Sequence, residues 1–413
     1  MEWVKDKTSI SPDAKVPIKS WCPELENDAM KQAAHLAAHP VIAAHVALMP
    51  DCHVGYGMPI GGVIACRNAV IPNAVGVDIG CGMGAVRTSI TTEAVQEMSF
   101  IRKILDEVKK RVPVGEGVCH QSQQTWEGFA RFEALVAANP PTWLGESGLN
   151  RDRKNLCTLG GGNHFIELQA STDNVLWLML HSGSRNLGYR VANHYHKRAQ
   201  KLNAQWHTEL PSSDLAFLPA DSEEGQAYIR DMNFALAYAL ENRKRMMSVF
   251  KEVLTENLPG IQLPQEINIH HNFAAIEHHY GQDLWVHRKG ATSARSGEMG
   301  IIPGSMGSSS YIVRGRGNPD SFNSCSHGAG RRMGRTEASR RLTMEECNQA
   351  MEGIVFDRWH KEHGSARQRK QKGVEYDFGE APQAYKNIDQ VIKNELDLIE
   401  PLVKLRPLGV IKG

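Results

Sequence analysis

An apolar run broken by glycines occupies residues 69–84, AVIPNAVGVDIGCGMG. Its first half predicts a buried strand over Ala69–Val77, and its second half predicts a turn that holds Asp78 and Cys81. A carboxylate and a thiolate at this spacing can bind one divalent metal ion. The same turn could instead bury a free cysteine, or present Cys81 as a nucleophile beside a base.

Other short runs rich in Val, Ile and Leu predict further buried strands. These runs are Val41–Met49, Pro59–Ala65, Val175–Leu180 and Gly300–Ile302. Helical spacing of apolar residues predicts helices over Thr92–Arg111 with Thr92 as the N-cap, over Asp231–Leu254 and over Thr343–Trp359.

The candidate functional residues are spread along the chain without a linker or a shift of composition between them. We therefore expect one α/β (α+β) domain over residues 1–413, with central β-sheets flanked by helices. Residues 114–145 are rich in glycine and proline, which predicts a mobile flap or an irregular loop. The wider segment 113–155 is a possible variable or mobile segment.

The composition excludes several classes of protein. The chain has 413 residues, 47 Lys+Arg against 46 Asp+Glu, and 41% hydrophobic residues, which excludes a disordered chain, a coiled coil and collagen. No apolar run reaches the roughly 18 residues of a membrane span, and Met1–Lys7 lacks the apolar core of a secretion signal. Eight scattered cysteines are too few for a disulfide scaffold, so we expect a cytoplasmic protein that does not enter the membrane.

Two polar motifs follow predicted turns or strands. Residues 159–167, LGGGNHFIE, could expose backbone N–H groups to an anion before the polar side chains of Asn163, His164 and Glu167. They could also form a simple glycine turn that leads into a strand. His181 ends an apolar run only 17 residues after His164, so a metal site with two histidines is a reasonable hypothesis.

Three later motifs add imidazoles and a loop of small residues. His270 and His271 are adjacent, so at most one of them can face a given site if they lie in a strand. Residues 302–310, IPGSMGSSS, lack the spacing of a Walker A loop and could bind phosphate or form an ordinary turn. His327 is flanked by small residues, and the basic run that follows could be a solvated face or could contact a nucleic-acid backbone.

Together these motifs resemble the RtcB family of RNA ligases, in the order the family has them and from about Pro40 to the last residue. The resemblance is carried by Met49–Gly55, Val75–Gly84, Leu159–Glu167, His181–Arg185, His270–Asn272, Arg288–Arg295, Ile302–Gly307, Cys325–Arg331 and Val410–Gly413. It implies the family's own α/β fold with a deep metal-containing cleft. It also implies an enzyme that uses GTP and Mn²⁺ to join RNA 3′-phosphate or 2′,3′-cyclic phosphate ends to 5′-hydroxyl ends, in RNA splicing or repair.

The resemblance also assigns roles to residues. It makes His327 the nucleophile that forms a His327–GMP intermediate, from which an RNA–GMP intermediate follows. It makes five residues the ligands of two Mn²⁺ ions: Asp78, Cys81, His164, His181 and His271. The expected guanine-nucleotide contacts are Asn163, His164, Phe165, Ile166, Glu167, His271, Asn272, Pro303, Gly304, Ser305, Met306, Ser310, His327, Gly328, Ala329, Gly330, Tyr385 and Lys412. Tyr385 is expected to stack near the guanine.

Arg185 and Arg331 are expected to contact RNA phosphate, because guanidinium groups bind phosphate in a bidentate manner. The ligand set would equally satisfy Zn²⁺ or Co²⁺. The same residues leave two other functions open: a metal-dependent phosphohydrolase acting on RNA ends, and a non-catalytic RNA-binding protein with a structural metal. Neither the RNA that is joined nor dependence on an activator protein follows from these residues.

Overall fold

Seventeen strands lie in the part of the chain that the computed structural model describes, residues 3–5, 11–95, 97–360, 373 and 375–413. They are β1 Trp3–Lys5, β2 Ile18–Ser20, β3 Ile42–His53, β4 Ile60–Cys66, β5 Ala69–Val70, β6 Gly82–Thr91, β7 Phe165–Ser171, β8 Val175–Ser182, β9 Leu218–Pro219, β10 Gln265–His270, β11 Asn272–His279, β12 Gln282–Lys289, β13 Ala291–Ser293, β14 Met299–Ile302, β15 Ser310–Gly315, β16 Ser324–Ser326 and β17 Ile399–Lys412.

Most strands belong to two mixed or antiparallel sheets. One sheet has six strands in the order β1-β2-β3-β4-β12-β11, and the other has seven in the order β10-β6-β8-β7-β17-β15-β14. Two short pairs, β13 with β16 and β5 with β9, complete the described strands. The predicted mixed α/β class with central sheets is confirmed.

The described helices flank these sheets. They are α1 Asn27–Ala38, α2 Pro72–Val75, α3 Met98–Arg111, α4 Glu127–Val136, α5 Asn150–Asn155, α6 Leu187–Gln205, α7 Glu223–Asn257, α8 Arg335–Arg341, α9 Met344–Gln349 and α10 Ile388–Lys393. Among the residues with described structure, no helix combines the length and the apolar character needed to cross a bilayer.

The register of the seven-stranded sheet brings the predicted ligands to one place. Met83 lies opposite His181, and His181 lies opposite Phe165 on its other side. Gly82 lies opposite His270. Because Cys81, His164 and His271 are the chain neighbours of paired residues, all three leave the sheet at the same end.

Helix α7 packs across this sheet and contains the predicted helix Asp231–Leu254. Its start is capped by Ser222, whose Oγ accepts a hydrogen bond from Gly225 N at 3.1 Å. Met246, Met247 and Phe250 are buried against apolar side chains of β7 and β8 in one core cluster. The helix therefore fixes the sheet from one face.

Three predicted elements are shorter than the sequence pattern indicates. The strand predicted over Ala69–Val77 is limited to β5, because Pro72 at the first helical position starts α2. Thr92 is not the N-cap of the long helix: residues Thr92–Val95 form a 3-10 turn, and Glu97 precedes α3.

The helix predicted over Thr343–Trp359 stops early. Thr343 and Glu346 form a capping box that starts α9, as expected for such a pair. The helix ends at Gln349, and Gly353 then adopts a positive φ of 76°, which turns the chain. The apolar residues that suggested a longer helix, such as Phe356, pack on the core from an extended chain.

The irregular loop predicted over 114–145 is wrong for the residues of α4, which form a helix. Phe129 and Phe132 on α4 are buried, and Phe132 stacks on Phe234 of α7 with ring centroids 3.9 Å apart. Trp143 Nε1 donates a hydrogen bond to Asp231 Oδ2 at 2.7 Å. This segment is therefore packed on helix α7.

A prediction concerns Arg243, a buried residue of α7 that binds three neighbouring segments. Its guanidinium donates to Gly80 O at 2.7 Å, Ser182 O at 3.1 Å and Asn268 Oδ1 at 2.7 Å. Arg243→Leu leaves these acceptors buried without donors, so the free energy of unfolding should fall by about 3 kcal/mol in urea denaturation. The matched change at the exposed neighbour Lys244, Lys244→Leu, should stay within about 0.5 kcal/mol. Equal effects of the two changes would contradict this role.

Candidate active site

The turn that carries Asp78 and Cys81 is shaped by close packing on helix α7. Cys81 N donates to Asp78 O at 3.0 Å, which closes the turn. Gly80 has a positive φ of 79°, and a Cβ there would lie 2.8 Å from the Cβ of Ala239. Only glycine satisfies both conditions, so the glycines of this motif are required by the backbone.

Five side chains meet at the end of the sheet, as the sequence analysis predicts for a metal site. Cys81 Sγ lies 3.2 Å from His181 Nε2 and 3.6 Å from His164 Nε2. His181 Nε2 lies 3.4 Å from His271 Nε2, and His164 Nε2 lies 3.3 Å from Asp78 Oδ2. These atoms form two groups, Cys81 with His181 and His271, and Cys81 with Asp78 and His164, each within 4.8 Å. Cys81 belongs to both groups.

The candidate ligands also form hydrogen bonds through the atoms that face away from the cluster, and these bonds orient their free donor atoms toward the cluster. His164 Nδ1 lies 2.9 Å from Leu159 O, and His181 Nδ1 lies 3.2 Å from Asn163 O. An Nδ1–H that donates to a carbonyl leaves the lone pair on Nε2, which is the arrangement of metal-binding histidines. Asp78 Oδ1 accepts from the backbone and hydroxyl of Ser184, both at 3.1 Å, which leaves Oδ2 for the cluster.

The protonation states also suit a divalent cation. Burial holds the pKa values of His181 and His271 well below the usual range, so both imidazoles are neutral. Burial alone would raise the pKa of Asp78, but its interactions with His164 and Cys81 and the backbone hydrogen bond from Ser184 leave that pKa below its ordinary value. Burial and the nearby Asp78 raise the pKa of the Cys81 thiol, an effect that a bound cation reverses. The donor set of three nitrogens, one sulfur and one carboxylate therefore fits a divalent metal without selecting Mn²⁺ over Zn²⁺.

His327 lies next to this cluster and is held by a buried carboxylate. Its Nδ1 is 2.6 Å from Asp51 Oδ2, and its backbone N–H donates to the same oxygen at 3.1 Å. The ring centroid of His327 is 4.9 Å from that of His271. Because Asp51 takes the Nδ1 side, Nε2 is the ring nitrogen left for chemistry.

A cavity of about 360 Å³ opens in front of His327, within the size range of small-molecule sites. Its wall includes most of the residues predicted to contact a nucleotide: Asn163, Phe165, Pro303, Gly304, Ser305, Met306, His327, Gly328, Ala329, Gly330, Tyr385 and Lys412. His181, a predicted metal ligand, lies in the same wall. The cavity therefore joins the ligand cluster to His327.

Other predicted nucleotide contacts lie behind this wall. Glu167 is buried, its pKa is raised to about 7 by burial, and it accepts a hydrogen bond from Gln169 Nε2. Gln169 Nε2 also donates to Ser310 Oγ at 3.3 Å, which in turn accepts from Gly304 N at 3.3 Å. This chain of hydrogen bonds supports the loop at the cavity wall.

Two more residues of that predicted set have other surroundings. Ile166 packs in the apolar core. Asn272 donates to Asp78 O at 3.0 Å and accepts from Gly290 N at 2.7 Å. Asn272 therefore fastens the turn that carries the candidate ligands. His164 and His271, also predicted as nucleotide contacts, lie within the ligand cluster.

The two arginines predicted to contact RNA phosphate are both engaged with the protein. Arg331 bonds Glu380 at 3.3 Å and the Tyr385 hydroxyl at 3.1 Å, and its guanidinium lies 4.8 Å from the centre of the Tyr385 ring. Arg185 Nε donates to Thr158 Oγ1 at 3.1 Å, and its guanidinium fills the space that a Cβ at Gly160 would need. The expected RNA contacts of both residues stay predictions.

Sequence reasoning assigned no role to Asp51 or Glu380. Glu380 lines the cavity and bonds the Tyr385 hydroxyl at 2.5 Å, Arg335 at 2.8 Å and Lys412 at 3.2 Å. Burial would raise the pKa of Glu380, but Lys412 and Arg335 outweigh it and lower that pKa to about 2. Asp51 had a weak signal, a polar trio after an apolar run, whereas Glu380 had none.

A buried cluster of ligand-type side chains, an oriented histidine and a polar cavity together define the candidate active site of an enzyme. Comparison with known proteins then identifies which enzyme class this is. The sequence model of the family described as "tRNA-splicing ligase RtcB" matches residues 32–413, so the chain belongs to the RtcB family and is a ligase. The family predicted from the motifs is confirmed.

Individual relatives agree with this assignment. The RNA-splicing ligase RtcB of Escherichia coli strain K12 is 39% identical over 96% of this chain and 97% of that protein. The tRNA-splicing ligase RtcB of Methanococcus maripaludis is 30% identical over 94% of this chain and 92% of that protein. Membership of a ligase family sets aside the phosphohydrolase and the non-catalytic RNA-binding protein.

A prediction follows from the position of Cys81 in both ligand groups. With Mn²⁺ as the probe of divalent-cation binding, Cys81→Ala should weaken every binding event in isothermal titration calorimetry, because it removes the shared sulfur. Asp78→Asn and His271→Ala each remove a ligand of one group only, so each should weaken one binding event by roughly tenfold or more and spare the other. Cys66→Ala, a buried cysteine outside the cluster, should bind Mn²⁺ as the wild type does. Binding that is unchanged in Cys81→Ala would refute the shared ligand.

Proposed function

We propose that this chain is a GTP- and Mn²⁺-dependent RNA ligase that joins RNA 3′-phosphate or 2′,3′-cyclic phosphate ends to 5′-hydroxyl ends. Its setting would be RNA splicing or repair in the cytoplasm. The observation that carries the proposal is His327, held by Asp51 through Nδ1, beside the ligand cluster and at the wall of a nucleotide-sized cavity.

The ligand cluster fits two divalent ions. Asp78, Cys81, His164, His181 and His271 would hold them, with Cys81 shared between the two groups. When bound, such ions would neutralise the negative charge of the reacting phosphates.

The first step would be guanylylation of His327. Nε2 attacks the α-phosphorus of GTP, the new N–P bond forms, and the bond to the leaving pyrophosphate breaks. The Nδ1 proton stays in its hydrogen bond to Asp51, which stabilises the positive charge that develops on the ring. Lys412 and Glu380, at the far wall of the cavity, supply a cation and an acceptor for the polar edge of a guanine.

The later steps would transfer the guanylate to RNA and seal the strand. An oxygen of the RNA 3′-phosphate attacks the phosphorus of His327–GMP, the N–P bond breaks and RNA–GMP forms. The 5′-hydroxyl of the second RNA then attacks the activated 3′-phosphate and GMP leaves. A 2′,3′-cyclic phosphate would first be opened by water to a 3′-phosphate.

A prediction tests the nucleophile. His327→Ala should form no covalent guanylate with GTP and Mn²⁺, because no other described imidazole at the cavity has its Nδ1 on a buried carboxylate. The measurement is mass spectrometry of tryptic peptides, with acid lability of the adduct as the mark of an N–P bond. His278→Ala, an exposed histidine remote from the cluster, should label as the wild type does. Labelling of His327→Ala at another residue would disprove the assignment.

The same preparation tests the RNA ends. Wild-type protein should seal a nicked RNA only when one end carries a 3′-phosphate or a cyclic phosphate and the other a 5′-hydroxyl. Sealing of 3′-hydroxyl to 5′-phosphate ends would contradict the proposed chemistry.

A further inference from the structure

Two buried carboxyl groups bind successive backbone amides at the nucleophile. Ser326 N donates to Glu395 Oε2 at 2.8 Å, and His327 N donates to Asp51 Oδ2 at 3.1 Å. Glu395 and Asp51 are both fully buried, with 0% exposure. Glu395 lies in the turn between α10 and β17, outside the ligand cluster and the cavity wall. No step of the proposed reaction uses it.

Three polar atoms around these amides have no hydrogen-bond partner among the described residues. They are Asp51 Oδ1, Ser326 Oγ and Glu395 Oε1, and each is shielded from solvent. Buried polar atoms without a partner are rare in folded proteins, because each costs the free energy of its lost hydration. Three of them beside one dipeptide indicate a shared hydrogen-bond arrangement.

The charged groups around Asp51 and Glu395 indicate which of the two carboxyl groups is protonated. Asp51 has a partner that can be cationic, the imidazole of His327. Within the described chain Glu395 forms no ion pair, and the charged groups that act on it are the carboxyl groups of Asp51 and Asp397. Burial, reinforced by Asp51, raises the pKa of Glu395 well above its usual value. Glu395 is therefore the neutral acid at this dipeptide.

A neutral acid supplies the missing donor. The carboxylic O–H of Glu395 can donate, a serine hydroxyl can accept once and donate once, and a carboxylate oxygen can only accept. A protonated Glu395 would allow these three atoms to be joined in one directed chain, from Glu395 to Ser326 Oγ and from the Ser326 hydroxyl to Asp51 Oδ1. Because none of the three atoms has a direct partner, each link would run through one buried water, which such a polar site can hold.

We propose that Glu395 and Ser326 are positioning residues for the guanylylation of His327. The chain holds Oδ1 of Asp51, so that Oδ2 stays on Nδ1 of His327 and Nε2 stays the nucleophilic nitrogen. No proton is transferred along this chain of hydrogen bonds. The role in catalysis rests on the proposed function of His327, whereas the hydrogen-bond chain itself does not.

The first test is independent of activity. The infrared difference spectrum of wild-type protein minus Glu395→Gln, at neutral pH, should show the carbonyl band of one protonated carboxylic acid. Other buried acids such as Glu167 cancel in the difference. The band should shift in Ser326→Ala, where the O–H loses its acceptor. A difference spectrum with only carboxylate bands would overturn the proposal.

The second test is the single-turnover rate of guanylylation with GTP and Mn²⁺. Ser326→Ala and Glu395→Ala should slow the chemical step about tenfold or more, with the GTP concentration for half-saturation nearly unchanged. Glu395→Gln should recover most of the rate, because an amide both accepts from Ser326 N and donates onward. If Glu395 only stabilised the fold, the rate in Glu395→Gln would recover only as far as its melting temperature recovers. A positioning role predicts that the rate recovers independently of the melting temperature.

The matched control is Thr292→Val. Thr292 lies on β13 opposite Cys325, and its Oγ1 is also buried and unpaired, but it has no place in the chain from Glu395 to Asp51. Its rate should equal that of the wild type. Equal slowing of Thr292→Val and Ser326→Ala, or no recovery in Glu395→Gln, would overturn the proposal. If wild-type protein forms no guanylate, the proposed function fails and the infrared result alone decides the hydrogen-bond chain.

Discussion

The thiol of Cys81 lies beside the ends of strands β6 and β8, close to the turns that carry His164 and His271. The geometry of the candidate metal site depends on these segments meeting at one point. Its Sγ is within 3.6 Å of both His164 Nε2 and His181 Nε2, although these residues are 83 and 100 positions away in the chain. Antiparallel pairing of β6 with β8 and β10 brings these segments together, and Arg243 of α7 donates a hydrogen bond to Gly80 O in the turn before β6. A buried set of nitrogen, sulfur and carboxylate donor atoms at this spacing can bind divalent cations.

Short apolar runs bounded by glycine and proline were enough to predict several buried strands and the turn at Gly80, and helical spacing predicted residues Asp231–Leu254 of the long helix α7. They failed where a local signal outweighed the apolar pattern: Pro72 ended the strand after Val70, and Gly353 turned the chain that looked helical to Trp359. The loop predicted over 114–145 is wrong at α4 because the glycines and prolines around it lie near the ends of a helix that packs through Phe129 and Phe132.

The candidate ligands were predictable because each sits in a distinctive motif. The residues that orient them were not, because their contacts are long-range. Asp51 reaches His327 across 276 positions, and Glu380 gathers Arg331, Arg335 and Lys412 from separate parts of the chain. Nothing local marks Glu395 as the partner of Ser326 N, 69 positions earlier in the chain. Such residues are found only when each buried polar atom is paired in three dimensions.

If Cys81 is shared by two metal ions next to His327, anomalous diffraction at the manganese absorption edge should show it in crystals of the full chain soaked in Mn²⁺. We expect two peaks within bonding distance of Cys81 Sγ, one beside His181 and His271 and the other beside Asp78 and His164. Manganese peaks that lie away from Cys81 would contradict the shared ligand. So would the absence of a peak in this cluster in crystals that bind Mn²⁺ fully at other positions.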